Sequence, residues 1–154
     1  MSLKRNLTHY YIRGLVEGEG TFTFDTRISG GIKYKIPSFA LAMHVRDKDL
    51  IEGVRDFLKI KNKVYVYYYP GKDQSRSKRG SKAILIIREI GSLKNKIIPL
   101  FYKNLVGNKA IQFDGWIEKI GEDKSVPKSY KILYRLCKNG FYENNPEYFN
   151  SLVN

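Results

Sequence analysis

Apolar positions in the first thirty residues change period abruptly. Tyr11, Gly14, Leu15 and Gly18 recur at i, i+3, i+4 and i+7, one face of a helix with two glycines four residues apart. Thr8 predicts the helix N-cap, and Gly20 predicts a left-handed residue that ends it. From 20 to 28 the period falls to two, with Phe22 and Phe24 on one side of a strand and Thr21, Thr23, Asp25 and Arg27 on the other. A Ser29-Gly30-Gly31 turn leads into a second strand over 34 to 45, with Phe39, Leu41, Met43 and Val45 inward and Ser38, Ala40, Ala42 and His44 outward. Leu50, Ile51, Val54, Phe57 and Leu58 make the apolar stripe of a helix capped by Asp47 or Asp49. Lys63 to Tyr69 is β-branched and aromatic and predicts a third strand before a Pro70-Gly71 turn, and Ala83 to Arg88 predicts a fourth. Two helices follow, over 92 to 104 and 108 to 120, the second carrying Ile111, Phe113, Trp116, Ile117 and Ile120.

The order α-β-β-α-β-β-α-α predicts an α+β fold, in which an αββαββα core holds a four-stranded antiparallel sheet with its helices packed on one face. Residues 1–120 form that domain, and 121–154 a C-terminal helical extension docked on it. Pro127, Asn139-Gly140 and Pro146 punctuate the extension, leaving room for a short helix over 129 to 137 and another after Pro146.

Charge narrows the function. Among 154 residues, 28 Lys+Arg oppose 15 Asp+Glu, a formal +13 that points to a polyanionic partner, nucleic acid first. No basic amphipathic helix, lipidation signal or long apolar span favours a membrane. Cys137 is the only cysteine, which excludes an intrachain disulfide, and with His9 and His44 alone beside it a Cys/His zinc site is excluded as well. No signal peptide heads the chain, so an intracellular location is expected, organelle and prokaryotic or archaeal cytoplasm being indistinguishable.

The chemistry concentrates at Ile12-Arg13-Gly14-Leu15-Val16-Glu17-Gly18-Glu19-Gly20. The last carbonyls of a helix carry partial negative charge, so Glu17 and Glu19 are repelled there unless a cation or a donor stands beside them. Interior glycine costs about 1 kcal/mol against alanine, so Gly14 and Gly18 predict close packing against another helix, of this chain or of a second copy. A helix with a small-residue face that ends acid-Gly-acid-Gly and leads into a strand resembles the signature of the LAGLIDADG homing endonucleases. Ile12, Gly14, Leu15, Val16, Gly18 and Gly20 agree with it in identity or character, whereas Arg13 replaces a small residue and glutamate stands where aspartate is common.

The resemblance implies the same element order, and a site-specific endonuclease that cleaves both strands of a long pseudo-palindromic DNA target by metal-dependent phosphodiester hydrolysis. It implies Glu19 as the metal ligand, Asp47 after strand two as a residue positioning water, and Lys109 near the cleaved phosphate, with Lys103 as the competing assignment. For Asp47 a plain helix cap, and for Lys109 a solvated lysine beside the Gly107-Asn108 turn, remain open at this level. Mg²⁺ is the implied cofactor, with Ca²⁺ or Mn²⁺ substituting in crystals. Only one acidic helix end is present, so a carboxylate pair requires a homodimer meeting through Tyr11, Gly14, Leu15 and Gly18.

The sheet supplies the partner surface. Thr23, Asp25, Arg27, Ser38, His44, Tyr65, Tyr67, Lys82 and Arg88 on its outer face mix donors, acceptors and flat rings that suit the base edges of double-stranded DNA. Lys72, Arg76, Lys78, Arg79 and Lys82, in a loop from 71 to 82 without apolar side chains, suit phosphates. Ile84 and Ile86 fit either thymine methyls or the core. Two further readings use the same basic surface without cutting, namely a splicing cofactor on intron RNA and a non-catalytic DNA-binding regulator.

Overall fold

Thr8 Oγ1 accepts a hydrogen bond from the Tyr11 N–H (3.0 Å) and starts α1, His9–Glu19. The computed structural model describes residues 7–68 and 80–144. Helix α1 turns Ile12 and Val16 fully inward and leaves Gly14, Gly18 and Glu19 exposed. It passes straight into β1, Gly20–Ser29, with no loop between. The left-handed conformation predicted for Gly20 is not adopted, since its φ of −84° and ψ of 162° are extended. Space explains the glycine instead, because a Cβ there would lie 2.6 Å from Val16 Cγ1 and 3.0 Å from the Val16 carbonyl oxygen.

Strand β1 pairs antiparallel with β2, Ile32–His44, through a two-residue turn at Gly30 and Gly31. Both take positive φ, 57° and 76°, the geometry whose twist matches that of the flanking strands. A 3₁₀ turn, Val45–Asp47, leads to α2, Lys48–Phe57. Strand β3 is Tyr65–Tyr67, shorter than predicted, and β4 is Lys82–Ile87. The sheet order is β1-β2-β4-β3, antiparallel throughout. Helix α3 runs as α-helix over Ile90–Ser92, π-helix over Leu93–Ile97 and α-helix again over Ile98–Phe101. The Ile98 N–H bonds five residues back to the Leu93 carbonyl, which widens the helix beside Pro99, a residue without an N–H to give. Helix α4 is Asn108–Glu122, α5 is Lys131–Lys138 and α6 is Phe141–Asn144, the last not predicted. Tyr69, the Pro70-Gly71 turn, Lys72, Arg76, Lys78, Arg79 and the helix predicted after Pro146 lie outside the described residues.

Phe22 ties the sheet to its helices. Its ring centroid lies 5.2 Å from Phe39, 5.6 Å from Phe101, 5.0 Å from Phe113 and 5.3 Å from Trp116, pairs worth about 0.5–1.5 kcal/mol each beyond their buried area. Helix α4 also covers the free edge of β1. Gln112 Oε1 accepts from the Phe22 N–H at 2.9 Å, and Trp116 Nε1 donates to the Thr23 carbonyl at 2.8 Å. Leu133, Cys137 and Tyr142, from the segment after 121, belong to the same buried cluster. Burial pushes the Cys137 thiol up to about 12. No described helix is long and apolar enough to cross a membrane.

The later segment also carries carboxylates held in their charged form. Glu143 accepts from the Lys103 ammonium and the Tyr102 hydroxyl, and Asp123 accepts from the Ser125 N–H with Lys35 nearby, which lowers both below the ordinary carboxylate range. A carboxyl depressed in the folded state stabilises the fold above its unfolded value and loses that contribution as pH falls through its folded value. Melting temperature is therefore expected to drop as pH is lowered through about 4. In thermal scans across that range, Glu143→Gln is expected to flatten the acid limb, and an unchanged limb would show that the pairing contributes nothing.

Candidate functional site

The two carboxylates at the end of α1 meet different surroundings. Glu17 accepts from the Val106 N–H at 2.7 Å and from the Gly107 N–H at 3.1 Å, tying α1 to the chain that enters α4. Two donors answer the repulsion expected at a helix C-terminus. Glu17→Ala is expected to destabilise the fold by about 0.5–1.5 kcal/mol, the net worth of a hydrogen bond whose exposed donors can turn to water. A denaturant titration checks it, and Glu17→Gln should lose less. Glu19 is exposed and has no hydrogen bond or ion pair with any described residue.

Lys109 reaches the start of β1. From the first turn of α4 its ammonium donates to the Gly20 carbonyl, one residue past Glu19, and reaches Gln112 Oε1 at 3.4 Å. Gln112 thus holds Lys109 and the start of β1 through one oxygen. Its spacing of three from Lys109 on one helix was the only trace of this in the sequence. Lys103 is engaged elsewhere, paired with Glu143. Asp47 ends the 3₁₀ turn and occupies the N-cap position of α2, but its carboxylate makes no cap hydrogen bond and lies 4.0 Å from Arg46 Nε. Gly20 pairs with Leu41, three residues before the end of β2, so this turn and the end of α1 lie at the same end of the sheet.

The face of α1 that carries the glycines is uncovered. Among the described residues, a Cβ on Gly14 or Gly18 would meet nothing within 4 Å beyond the helix's own backbone, so no described helix requires them. Tyr11 is 47% exposed and Tyr10 80%. Leu15 is shared, half-buried and packed against the chain's own core. Arg13, the departure from a small residue, turns aside to donate from Nε to the Leu100 carbonyl at 2.8 Å, and burial lowers its pKa.

On the sheet face away from the helices, the register brings Thr23 opposite Ser38, His44 opposite Lys82, and Tyr67 opposite Lys82 from the other side. Arg27, Lys82, Tyr65 and Tyr67 are exposed, and Thr23, Asp25, His44 and Arg88 are half-buried. His44 Nδ1 accepts from the Arg46 N–H at 3.1 Å. Ser38 corrects the prediction, for it is only 1% exposed and offers no reach to a ligand. A short side chain on an inner strand sits below its taller neighbours. Ile84 and Ile86 are half-buried on this open side, alternating with the fully covered Ala83, Leu85 and Ile87. Lys61 and Lys63, unassigned from sequence, line a cavity of about 500 Å³ with Asn62, Tyr65, Tyr67 and Arg88. The period-two series 61, 63, 65, 67 was the available signal. Among the described residues no group of three or more His, Cys, Asp or Glu converges to hold a metal ion.

Comparisons with known proteins agree with this geometry. The family model described as LAGLIDADG endonuclease matches residues 12–120. No curated protein matches the sequence significantly. Among solved structures, the homing endonuclease I-TnaI is 20% identical, with a TM-score of 0.61 and 97% of each chain covered. I-SmaMI, bound to an uncleaved DNA target in the presence of calcium ions, is 22% identical with a TM-score of 0.59, covering 91% of this chain and 47% of its own. The meganuclease I-CpaMI, bound to uncleaved DNA, is 18% identical with a TM-score of 0.60, covering 97% of this chain and 45% of its own. The chain therefore spans about half the length of I-SmaMI and I-CpaMI and nearly all of I-TnaI. At these identities the likeness is one of fold.

Proposed function

Because this chain belongs to the LAGLIDADG endonuclease family, we propose that it is a homing endonuclease that acts as a homodimer and cleaves both strands of a long pseudo-palindromic DNA site by metal-dependent hydrolysis. One observation carries the reading. An exposed carboxylate without a partner among the described residues, Glu19, stands at the end of a helix face whose glycines no described residue covers. A second copy docked on that face brings two Glu19 side chains to one dyad. The lengths support this, since I-SmaMI and I-CpaMI have about twice this chain in one polypeptide.

Carboxylate oxygen suits a hard divalent cation such as Mg²⁺, and the calcium in the I-SmaMI crystal is of that class. One carboxylate per chain is not a complete ligand set, so Glu19 would hold the ion only together with oxygens supplied by the second subunit, phosphate and water. When bound, such an ion activates the attacking water and stabilises the attacking and leaving oxygens. The rest falls to the chain's own groups. Lys109, steadied by Gln112 and the Gly20 carbonyl, holds positive charge toward the scissile phosphate. Asp47, its carboxylate not used as a cap, orients water at the same end of the sheet. The open sheet face, with Thr23, Arg27, His44, Tyr65, Tyr67, Lys82 and Arg88, lies along the major groove of one half-site. No described feature favours the intron-RNA cofactor over this reading.

Incubation with double-stranded DNA containing the intronless host locus tests it. Cutting of both strands in Mg²⁺, abolished by EDTA and restored by added Mg²⁺ or Mn²⁺, is expected. Binding of intron RNA without any cutting of that DNA would overturn it.

A further inference from the structure

One arginine on the open sheet face is fixed from three sides. Arg88 follows the last residue of β4, and its Nε donates to the carboxylate of Asp25 on β1, with β2 between them. Its carbonyl accepts from the Tyr130 hydroxyl at 2.6 Å, delivered by the segment ahead of α5. Asn62 holds the flanking chain, donating from Nδ2 to the Ile86 carbonyl at 2.8 Å and to the Glu89 carboxylate at 3.2 Å. The Arg88 and Asp25 side chains are 41% and 37% exposed, so the pair stays open to a ligand. Both Nη groups of Arg88 have no partner among the described residues.

A guanidinium engaged through Nε still presents two parallel N–H donors on its end edge. Guanine offers two acceptors, N7 and O6, at matching spacing in the major groove, whereas adenine sets a donor beside its acceptor and repels one of the two. Phosphate also accepts from such an edge, but a phosphate on Arg88 would be drawn next to the Asp25 carboxylate, and like charges disfavour it. A neutral base edge meets no such repulsion. Ile86, half-buried on the same face, lines one cavity with Arg88 and borders the position with apolar surface.

We propose that Arg88, oriented by Asp25, reads a guanine in each half-site of the DNA target. This rests on the DNA-cutting reading above and names a base that the reading leaves open. Asp25 is then a positioning residue, and Arg88 makes the contact.

The test is a binding selection of the full-length protein on randomised double-stranded DNA, repeated for Arg88→Ala and Asp25→Asn. Wild type is expected to select one guanine per half-site that Arg88→Ala no longer selects, the other positions keeping their preferences. Replacing that guanine by 7-deazaguanine, which lacks the N7 acceptor, should weaken wild-type binding by roughly 10-fold and leave Arg88→Ala unchanged. Asp25→Asn should relax the guanine preference while overall affinity at low salt holds or rises, an outcome that simple misfolding would not give. If Arg88→Ala weakens all sequences equally, or keeps the guanine, the assignment is overturned while the endonuclease reading stands. If wild type selects no sequence at all, both fall.

Discussion

Glu19→Gln is expected to slow strand cleavage by roughly 10³-fold, equivalent to about 4 kcal/mol of transition-state stabilisation, while the protein still binds its target. The substitution keeps the size of the side chain and one carbonyl oxygen but removes the charge that, in the proposed site, would attract a divalent cation. Folding should be unaffected, since Glu19 is exposed and makes no hydrogen bond or ion pair with a described residue. DNA affinity without metal should hold or improve slightly, because a negative charge facing phosphates is removed. Single-turnover cleavage beside a gel-shift titration reads both quantities. Cutting at the wild-type rate would remove Glu19 from the site, and Glu17→Gln is the internal contrast, with its effect on stability instead.

The second large effect concerns Gly18. A Cβ there touches no described residue of the single chain, so Gly18→Ala alone should stabilise α1 by about 1 kcal/mol if the chain works as a monomer. In a two-fold dimer packed through this face the substitution enters twice at one contact, and overpacking costs about 1–3 kcal/mol per site. Gly18→Leu is therefore expected to weaken dimerisation by roughly 100-fold or more and to abolish double-strand cutting, with the chain still folded. Sedimentation of free and DNA-bound protein, with circular dichroism as the folding control, decides it. A Gly18→Leu protein that cuts both strands normally would rule out assembly through this helix.

Much of the architecture was legible because period and capping are local. Thr8 accepts the hydrogen bond predicted for it, Phe22 and Phe24 alternate with Thr23 and Asp25 as read, and the four strands come in the predicted order along the chain. Errors came where packing or helix geometry, rather than period, set the outcome. Gly20 is extended, and glycine is needed there because Val16 leaves no room for a Cβ, a matter of helix-to-strand geometry rather than of φ. Ser38 lies on the expected side of β2 but is covered, since polarity alternates along a strand while depth depends on the strands beside it. The π-helical turn before Pro99 merged into one predicted helix, its period too close to 3.6 to show over five residues.

The candidate site divides in the same way. The sequence by itself determined that two carboxylates would end an apolar, glycine-bearing helix, that an excess of basic charge would seek a polyanion, and that a strand would begin at once beyond the acids. Those are properties of composition and of spacing within a few residues. Only the tertiary structure separated Glu17, spent on the Val106 and Gly107 N–H groups, from Glu19, left open. It alone set Lys109 rather than Lys103 beside Gly20, and stretched the Arg88–Asp25 pair across β2. The partners in each case stand 40 to 90 residues apart. A hydrogen bond at that separation is decided by how helices and strands pack, and no local period records it.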